Sequence, residues 1–384
     1  MKLYLDNAAT TFPKPPEVIA AVTNYMSFLG ANPGRGSSES SFKSGQLVFQ
    51  CREELMNFFK FNKQENVIFT QNITSSLNIL IKGFVQNGDH VITSSMDHNA
   101  TLRPLYTLKN NGTIDLTVVK CSREGLLNID DFKNAITPKT RLVVLSHSSN
   151  IVGTIQPLQE IGALCKEKNI YFIIDCAQTA GVLPLDFNTL NCNALAFTGH
   201  KGLLGPQGIG GFLIDDKLNN EIHTIIEGGT GSLSSSINQP NFLPDKFESG
   251  TLNTPGIAGL LAGLKFINKE GISTIKDHEE ELTRQFMESM YNMDNITMYG
   301  VKNPSLRTSA ISINSSKIDN SELGFYLDNE FGISTRTGLH CAPLAHETIG
   351  SYPHGTIRFS FGYFNDLKDV KYTIDSIHKI ITRF

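Results

Sequence analysis

The 384-residue chain lacks the features that mark several large classes of protein. No run of about eighteen apolar residues occurs, so no helix is expected to cross a membrane. There is no basic excess either. Against 37 Asp+Glu stand 33 Lys+Arg, a formal net charge of −4 with no long block of one sign, so the electrostatic footprint of a nucleic-acid-binding protein is missing. Six cysteines (Cys51, Cys121, Cys165, Cys176, Cys192 and Cys341) are scattered without a C-x-x-C pair. That spacing argues against zinc and against a disulfide framework, and predicts that most of them are buried small hydrophobes with no metal bound. The opening Met1-Lys2-Leu3-Tyr4-Leu5-Asp6 meets charge too early for the core of a signal peptide, which leads to the expectation of a cytoplasmic protein. No internal repeat or low-complexity segment stands out.

What is present is an alternation of apolar, β-branched runs with helical patterns from about residue 66 to 215. This is the signature of an α/β fold with a mostly parallel sheet flanked by helices. Seven strands are expected, at 67–69, 90–92, 116–119, 142–145, 171–174, 194–197 and 210–214. Ligands in such sheets bind beyond the carboxyl ends of the strands. Helical periodicity at 16–29 and 44–60 places two further helices against the sheet. Residues 228–254 turn Gly/Ser/Asn/Pro-rich, a length more often functional than idle, and read as an active-site or interface loop. A long helical pattern follows from Pro255 to about Met293. After it come strand 308–314, helix 320–331, strand 355–361 and an amphipathic helix at about 366–382. The expected division is a large domain over 15–254 and a smaller α+β domain made of 1–14 and 255–384.

Two strand ends carry the chemistry. Asp175-Cys176-Ala177-Gln178 closes one apolar run and Thr198-Gly199-His200-Lys201 closes the next. A lysine amine beside a carboxylate from the neighbouring strand end suits pyridoxal 5′-phosphate (PLP), which needs an amine for C4′ and an anion for its pyridinium nitrogen. Gln178 could reach the phenolic oxygen. The segment Gln71-Asn72-Ile73-Thr74-Ser75-Ser76 opens a helix after a strand, where N–H groups and hydroxyls can converge on a phosphate; the same residues would also serve as an ordinary helix cap. His98, just past the strand at 90–94, could stack on a flat ring and move protons.

Eight segments then occur in the order seen in one family: Leu5-Asp6-Asn7-Ala8-Ala9-Thr10-Thr11, Asn32-Pro33-Gly34-Arg35-Gly36, Asp97-His98-Asn99-Ala100, His147-Ser148-Ser149-Asn150-Ile151-Val152-Gly153-Thr154, the Asp175 and Lys201 segments, Phe247-Glu248-Ser249-Gly250-Thr251, and Arg336-Thr337-Gly338-Leu339-His340-Cys341-Ala342. Over nearly its whole length the chain resembles the cysteine desulfurases of the class V aminotransferase fold, nearest the branch of SufS-like desulfurases and selenocysteine lyases. The resemblance implies PLP fold type I and a homodimer with shared active sites. Lys201 would be the PLP lysine, His98 would stack on the ring, and Asp175 and Gln178 would bind its nitrogen and phenolic oxygen. Thr74, with Ser75 beside it, Thr198 and His200 would hold the phosphate, with Thr251 arriving from the partner subunit. Arg358 would be the main clamp on an amino-acid carboxylate, supported by Asn150 with Arg336 nearby; Asn7 and Arg35 are further substrate-binding candidates.

Cys341 turns a PLP protein into one that handles sulfur. Taken alone it reads as a buried structural cysteine; the motif makes it the nucleophile, with Arg336 and His340 expected to form a cationic neighbourhood favouring the thiolate. The implied reaction converts L-cysteine to L-alanine, leaving sulfur on Cys341 as a persulfide for an acceptor protein, with iron-sulfur assembly as one destination. Two other readings stand beside it. One is a selenocysteine or cysteine/cystine lyase releasing selenide or sulfide, and the other is a regulatory subunit that kept the fold. Two segments depart from the family pattern, Leu339 before His340 and Glu227-Gly228-Gly229-Thr230-Gly231-Ser232.

Overall fold

The computed structural model describes residues 2–33 and 38–384, so the candidate Arg35 lies outside the described residues. At its centre is a seven-stranded sheet. In spatial order its strands are Val67–Thr70, Gly210–Ile214, Ala194–Thr198, Tyr171–Asp175, Thr140–Ser146, Asp89–Ser94 and Ile114–Val119. All seven expected strands are there. Gly210–Ile214 runs antiparallel to both its neighbours, and the remaining pairings are parallel. Strands buried on both faces need apolar residues at successive positions, because alternate side chains enter opposite layers. Val143, Leu145, Phe172, Ile174, Leu195 and Phe197 accordingly join one core cluster. Leu142, Val144, Ile173, Ala194, Ala196 and Phe212 join the other.

A third cluster, around Leu5, Phe286, Ile313, Phe359 and Ile377, gathers the first residues of the chain and its C-terminal part. Leu3–Tyr4 pairs in parallel with Ile333–Ser334, so the extreme N-terminus is built into the C-terminal region. Next to it lies a four-stranded antiparallel sheet in the order Arg336–Gly338, Thr356–Ser360, Ala310–Ser315 and Ile296–Met298. The first and last of these strands have only three residues each and gave no readable alternation.

Three helices differ from expectation. The pattern read as one helix from Pro255 to Met293 is two, Thr254–Glu270 and Ile272–Tyr291, broken at Gly271 with φ of 86°. Only glycine takes that conformation at little cost, and the apolar periodicity continues on either side of it. The helix expected at 44–60 begins five residues earlier, at Glu39, where the Ser38 side chain accepts the Ser41 N–H. The helix at 16–29 is α-helical over Pro16–Asn24 and widens into a π turn at Tyr25–Leu29.

Candidate active site

Asp175 and Thr198 end adjacent parallel strands, which brings Lys201 and Asp175 to the same edge of the sheet. The Asp175 carboxylate is buried and accepts the Ala177 N–H at 2.8 Å. Burial pushes its pKa from 3.8 up to about 6, and the positive charge of Lys201 pulls it back down. Lys201 moves the other way. Burial lowers its amine from 10.5 to about 8, Asp175 opposes that fall, and Arg358 and Arg336 reinforce it. An amine near neutrality is one that can act as a base or nucleophile at physiological pH.

His98 is the N-cap of the helix Asn99–Asn110, with its Nδ1 accepting the Ala100 N–H at 3.0 Å. That bond assigns the ring proton to Nε2. Burial, then the cations Lys201, Arg336, Arg103 and Arg358, lower its pKa to about 4. It is therefore a neutral, flat ring at pH 7. The residue before it, Asp97, was missed as a site residue in the sequence. Its buried carboxylate accepts from Thr93 Oγ1 (2.8 Å), Ser94 N (2.7 Å), Ser94 Oγ (2.9 Å) and Ser146 N (2.6 Å). Ser146 is the residue paired with Asp175 across the two strands, so this network sits directly behind the Asp175 carboxylate.

Two polar atoms near the Lys201 turn are buried without a hydrogen-bond partner, Thr198 Oγ1 and His200 Nδ1. Buried polar groups are normally paired, so orphans at a strand end beside Lys201 are suited to receive a polar ligand. Lys14, also missed, donates to the His200 carbonyl and to Thr11 Oγ1, both at 2.6 Å; burial lowers its pKa from 10.5 to about 8. Gln178 donates to the Ala8 carbonyl at 3.1 Å. The helix Ile73–Phe84 is capped by Asn72, whose Oδ1 accepts the Ser75 N–H at 3.0 Å, which leaves Thr74 exposed in the first turn. Ser75 and Thr251 line one cleft of about 300 Å³ together with Gln71 and Glu248.

The second half of the site comes from the four-stranded sheet. Arg336 and Arg358 face each other as direct cross-strand partners. Like charges so placed repel unless an anion lies between or beside them. Asp6 supplies one: its carboxylate accepts from Arg358 Nη2, while Arg358 Nη1 donates to the Asn150 carbonyl at 2.9 Å. Arg358 is 1% exposed, and its Nε has no partner. Asn150 donates from Nδ2 to the His340 carbonyl at 2.8 Å, and its Oδ1 is also an orphan. Two cations and one carboxylate leave room for one more anion. Asn7 is different: its amide donates to the Ser360 carbonyl (2.9 Å) and accepts the Phe12 N–H (3.2 Å), so its hydrogen-bonding groups are engaged in holding the N-terminal segment.

Cys341 is exposed, whereas the five other cysteines are buried. It and His340 both have positive φ, 59° and 47°. Two consecutive non-glycine residues in this region cost on the order of 1 kcal/mol or more each, and persist because other bonds fix them. Here those bonds are the Asn150 amide on the His340 carbonyl and the Asn99 N–H on the Cys341 carbonyl, 2.9 Å. The second bond ties the cysteine loop to the start of the helix that His98 caps. Arg336 Nη2 lies 4.0 Å from Cys341 Sγ. The expectation that His340 adds positive charge is not met. It is buried, its Nε2 lies 3.2 Å from both Thr356 O and Thr356 Oγ1, and burial, assisted by Arg358, lowers its pKa to about 2. Arg336 alone of the two supplies a cation beside the thiol.

This architecture has close counterparts. The family model for class V aminotransferases matches residues 3–373. A probable cysteine desulfurase of Methanothermobacter thermautotrophicus is 30% identical, over 98% of this chain and 94% of its own length. A cysteine desulfurase of Escherichia coli O157:H7 is 31% identical, over 88% of this chain and 84% of its own. Among solved structures, an apo cysteine desulfurase from Thermococcus onnurineus NA1 superposes with a TM-score of 0.94 at 28% identity, covering 100% of this chain and 95% of that one. These relatives do not favour the lyase or non-catalytic readings. The chain belongs to the class V aminotransferase family and, within it, to the cysteine desulfurases.

Proposed function

We propose that this enzyme binds PLP at the Asp175/Lys201 strand ends, takes L-cysteine as substrate, and passes the substrate's sulfur to Cys341 as a persulfide. The observation that carries the reading is the set of buried orphan atoms, Thr198 Oγ1, His200 Nδ1, Asn150 Oδ1 and Arg358 Nε, arranged around a lysine and a carboxylate. The first pair fits a phosphate, and the second pair fits the carboxylate of an amino acid. When bound, PLP supplies an electron sink that labilises bonds at the substrate's α carbon.

The chain's own residues do the rest. Asp175 would hold the proton on the ring nitrogen. His98, a neutral imidazole, would cover the ring, and Gln178 would reach the phenolic oxygen. Thr198, His200, Thr74 and Ser75 would hold the phosphate, with Thr251 contributed across a homodimer interface. Arg358 grips the substrate carboxylate through Nε, with Asn150 and Arg336 beside it, which fixes the substrate's sulfur on the Cys341 side. Lys201, its amine lowered by burial to about 8, takes the α proton. The Cys341 thiolate, next to Arg336, attacks the sulfur; the carbon–sulfur bond breaks with its electron pair going to the β carbon, which takes up one proton, and Lys201 returns the α proton to give alanine. A small unit of 1–14 and 255–384 contributes Arg336, Cys341 and Arg358, and a large unit of 15–254 contributes the cofactor residues.

The homodimer has support in the surface. Ile19, Met26, Phe28, Phe42 and Phe49 are all exposed on the N-terminal helices, and Ile226, Ile237 and Phe242 on the 225–242 segment. A homodimer interface built from these elements would cover those side chains. Among the described residues no helix is long and apolar enough to span a membrane, which is compatible with a cytoplasmic location. The function is tested by mass spectrometry of Cys341 after incubation with L-cysteine. A gain of one sulfur atom is expected in the wild type and none in Lys201→Ala. A Cys341→Ala variant that still made alanine from cysteine at full rate would overturn the assignment.

A further inference from the structure

Outside the residues already given roles, one buried ion pair joins the helix Glu39–Phe58 to the segment that precedes Thr251. Arg52, on the helix Glu39–Phe58, and Glu248 are both buried, with Arg52 Nη2 2.5 Å from Glu248 Oε2. Both side chains also reach the edge strand Val67–Thr70. Arg52 Nη1 donates to the Val67 carbonyl, Glu248 Oε1 accepts the Phe69 N–H at 2.6 Å, and the guanidinium lies 4.7 Å from the centre of the Phe69 ring. On its other side this strand pairs with Gly210–Ile214. Its outer backbone groups, which an edge strand leaves unpaired, are thus satisfied by a carboxylate and a guanidinium in place of another strand.

The geometry sets two short arms against each other. The strand that Glu248 grips leads through Gln71 to the Asn72-capped helix carrying Thr74 and Ser75. Glu248 itself is followed by Ser249, Gly250 and Thr251, and Ser75 and Thr251 line one cleft with it. The Gly250 N–H donates to the Gly229 carbonyl at 2.8 Å, which ties the Thr251 arm to the glycine-rich loop as well. A buried ion pair is a weak source of stability compared with an apolar pair of the same size, because two charges must be desolvated. Its use here is positional. We propose that Arg52 and Glu248 are positioning residues for the phosphate end of the cofactor, fixing the Thr251 segment, which reaches across the dimer to the partner's phosphate, against the strand that delivers Thr74 and Ser75 to this chain's own.

This rests on the PLP reading above, and the test separates the two. PLP and pyridoxal, which lacks the phosphate, are titrated into the cofactor-free protein and followed by visible absorbance. The proteins compared are wild type, Glu248→Gln and the double variant Arg52→Met/Glu248→Met. The ratio of PLP to pyridoxal affinity is internal to each protein, so a general loss of stability cancels from it. Thermal unfolding of the same proteins shows whether the apolar pair replaces the ion pair without loss. Wild type that binds neither ligand would defeat the PLP reading. If wild type binds both, the ratio is expected to fall about tenfold or more in the double variant, the equivalent of one hydrogen bond to a charged group, and less in Glu248→Gln. A ratio unchanged in both variants, with or without a change in melting temperature, would overturn the positional role.

Discussion

Asp6→Asn is the substitution whose outcome is most fully determined by the geometry. Among the described residues Asp6 is the one acidic side chain paired with Arg358, which is buried opposite Arg336. Asparagine keeps the shape and one acceptor but removes the charge, leaving two guanidinium groups facing each other. Removing one partner of a fully buried ion pair costs about 3–5 kcal/mol. The Asp6 side chain is 18% exposed. With a neutral acceptor retained and the carboxylate partly exposed, the cost falls just below that range, at about 2–3 kcal/mol. Unfolding entropy of about 2.1 cal/mol/K per residue, taken over the chain, gives about 0.8 kcal/mol per kelvin, so the melting temperature should fall by about 3 °C.

The same change should strengthen carboxylate binding, because the Asp6 carboxylate on Arg358 Nη2 repels a substrate carboxylate at Nε of the same guanidinium. The assay is thermal unfolding with and without L-alanine, the product and a carrier of that carboxylate. At an L-alanine concentration about 100 times its dissociation constant, bound ligand adds about 2.7 kcal/mol of stability, and the variant should gain more than the wild type. The gap between the two melting curves should therefore narrow. An unchanged melting temperature for Asp6→Asn, or a gap that widens with L-alanine, would show that Arg358 does not depend on Asp6 for charge balance and would refute the clamp as described.

Two further outcomes follow from the same site. In cofactor-free protein, Lys201 and Lys14 should react with amine reagents with midpoints near pH 8, well below ordinary lysines, read by peptide mass spectrometry across pH; both pKa values are lowered in the fold, so the folding penalty from each ammonium applies below about pH 8 and fades as pH rises past it. PLP should then protect Lys201, and Lys201 labelling that matched the exposed lysines would contradict its buried setting. Gly355→Ala should destabilise the cysteine loop, because an added Cβ would meet the Gly338 carbonyl oxygen at 2.3 Å and φ is +75°; the expected result is a melting temperature lower by several degrees and a large fall in sulfur transfer to Cys341, and a variant indistinguishable from wild type would show that the Gly338 backbone can move freely.

How far the sequence could reach depended on whether a residue's role lay in its own type or in a neighbour's position. The seven strands were legible because a strand buried on both faces must be apolar at successive positions, as in Phe172-Ile173-Ile174. Lys201 and Asp175 were legible because each closes such a run. The break at Gly271 was not, since one glycine inside an unbroken helical periodicity looks like a tolerated residue until its φ is known. His340 misled for a related reason: adjacency in sequence suggested a cation beside Cys341, while the left-handed turn at 340–341 exposes the cysteine and sends the imidazole into the interior against Thr356. Asp6, Asp97, Lys14 and the Arg52–Glu248 pair were invisible as functional groups for a deeper reason. Each acts on a residue distant in the chain, Asp6 on Arg358, Lys14 on the His200 carbonyl, Asp97 through Ser146 toward Asp175, Glu248 on Phe69, and no local spacing encodes those meetings. The residues that touch the reacting groups carried a local signature, whereas the residues that hold them in place became visible only when the sheet and the N-terminal strand had brought the chain's ends together.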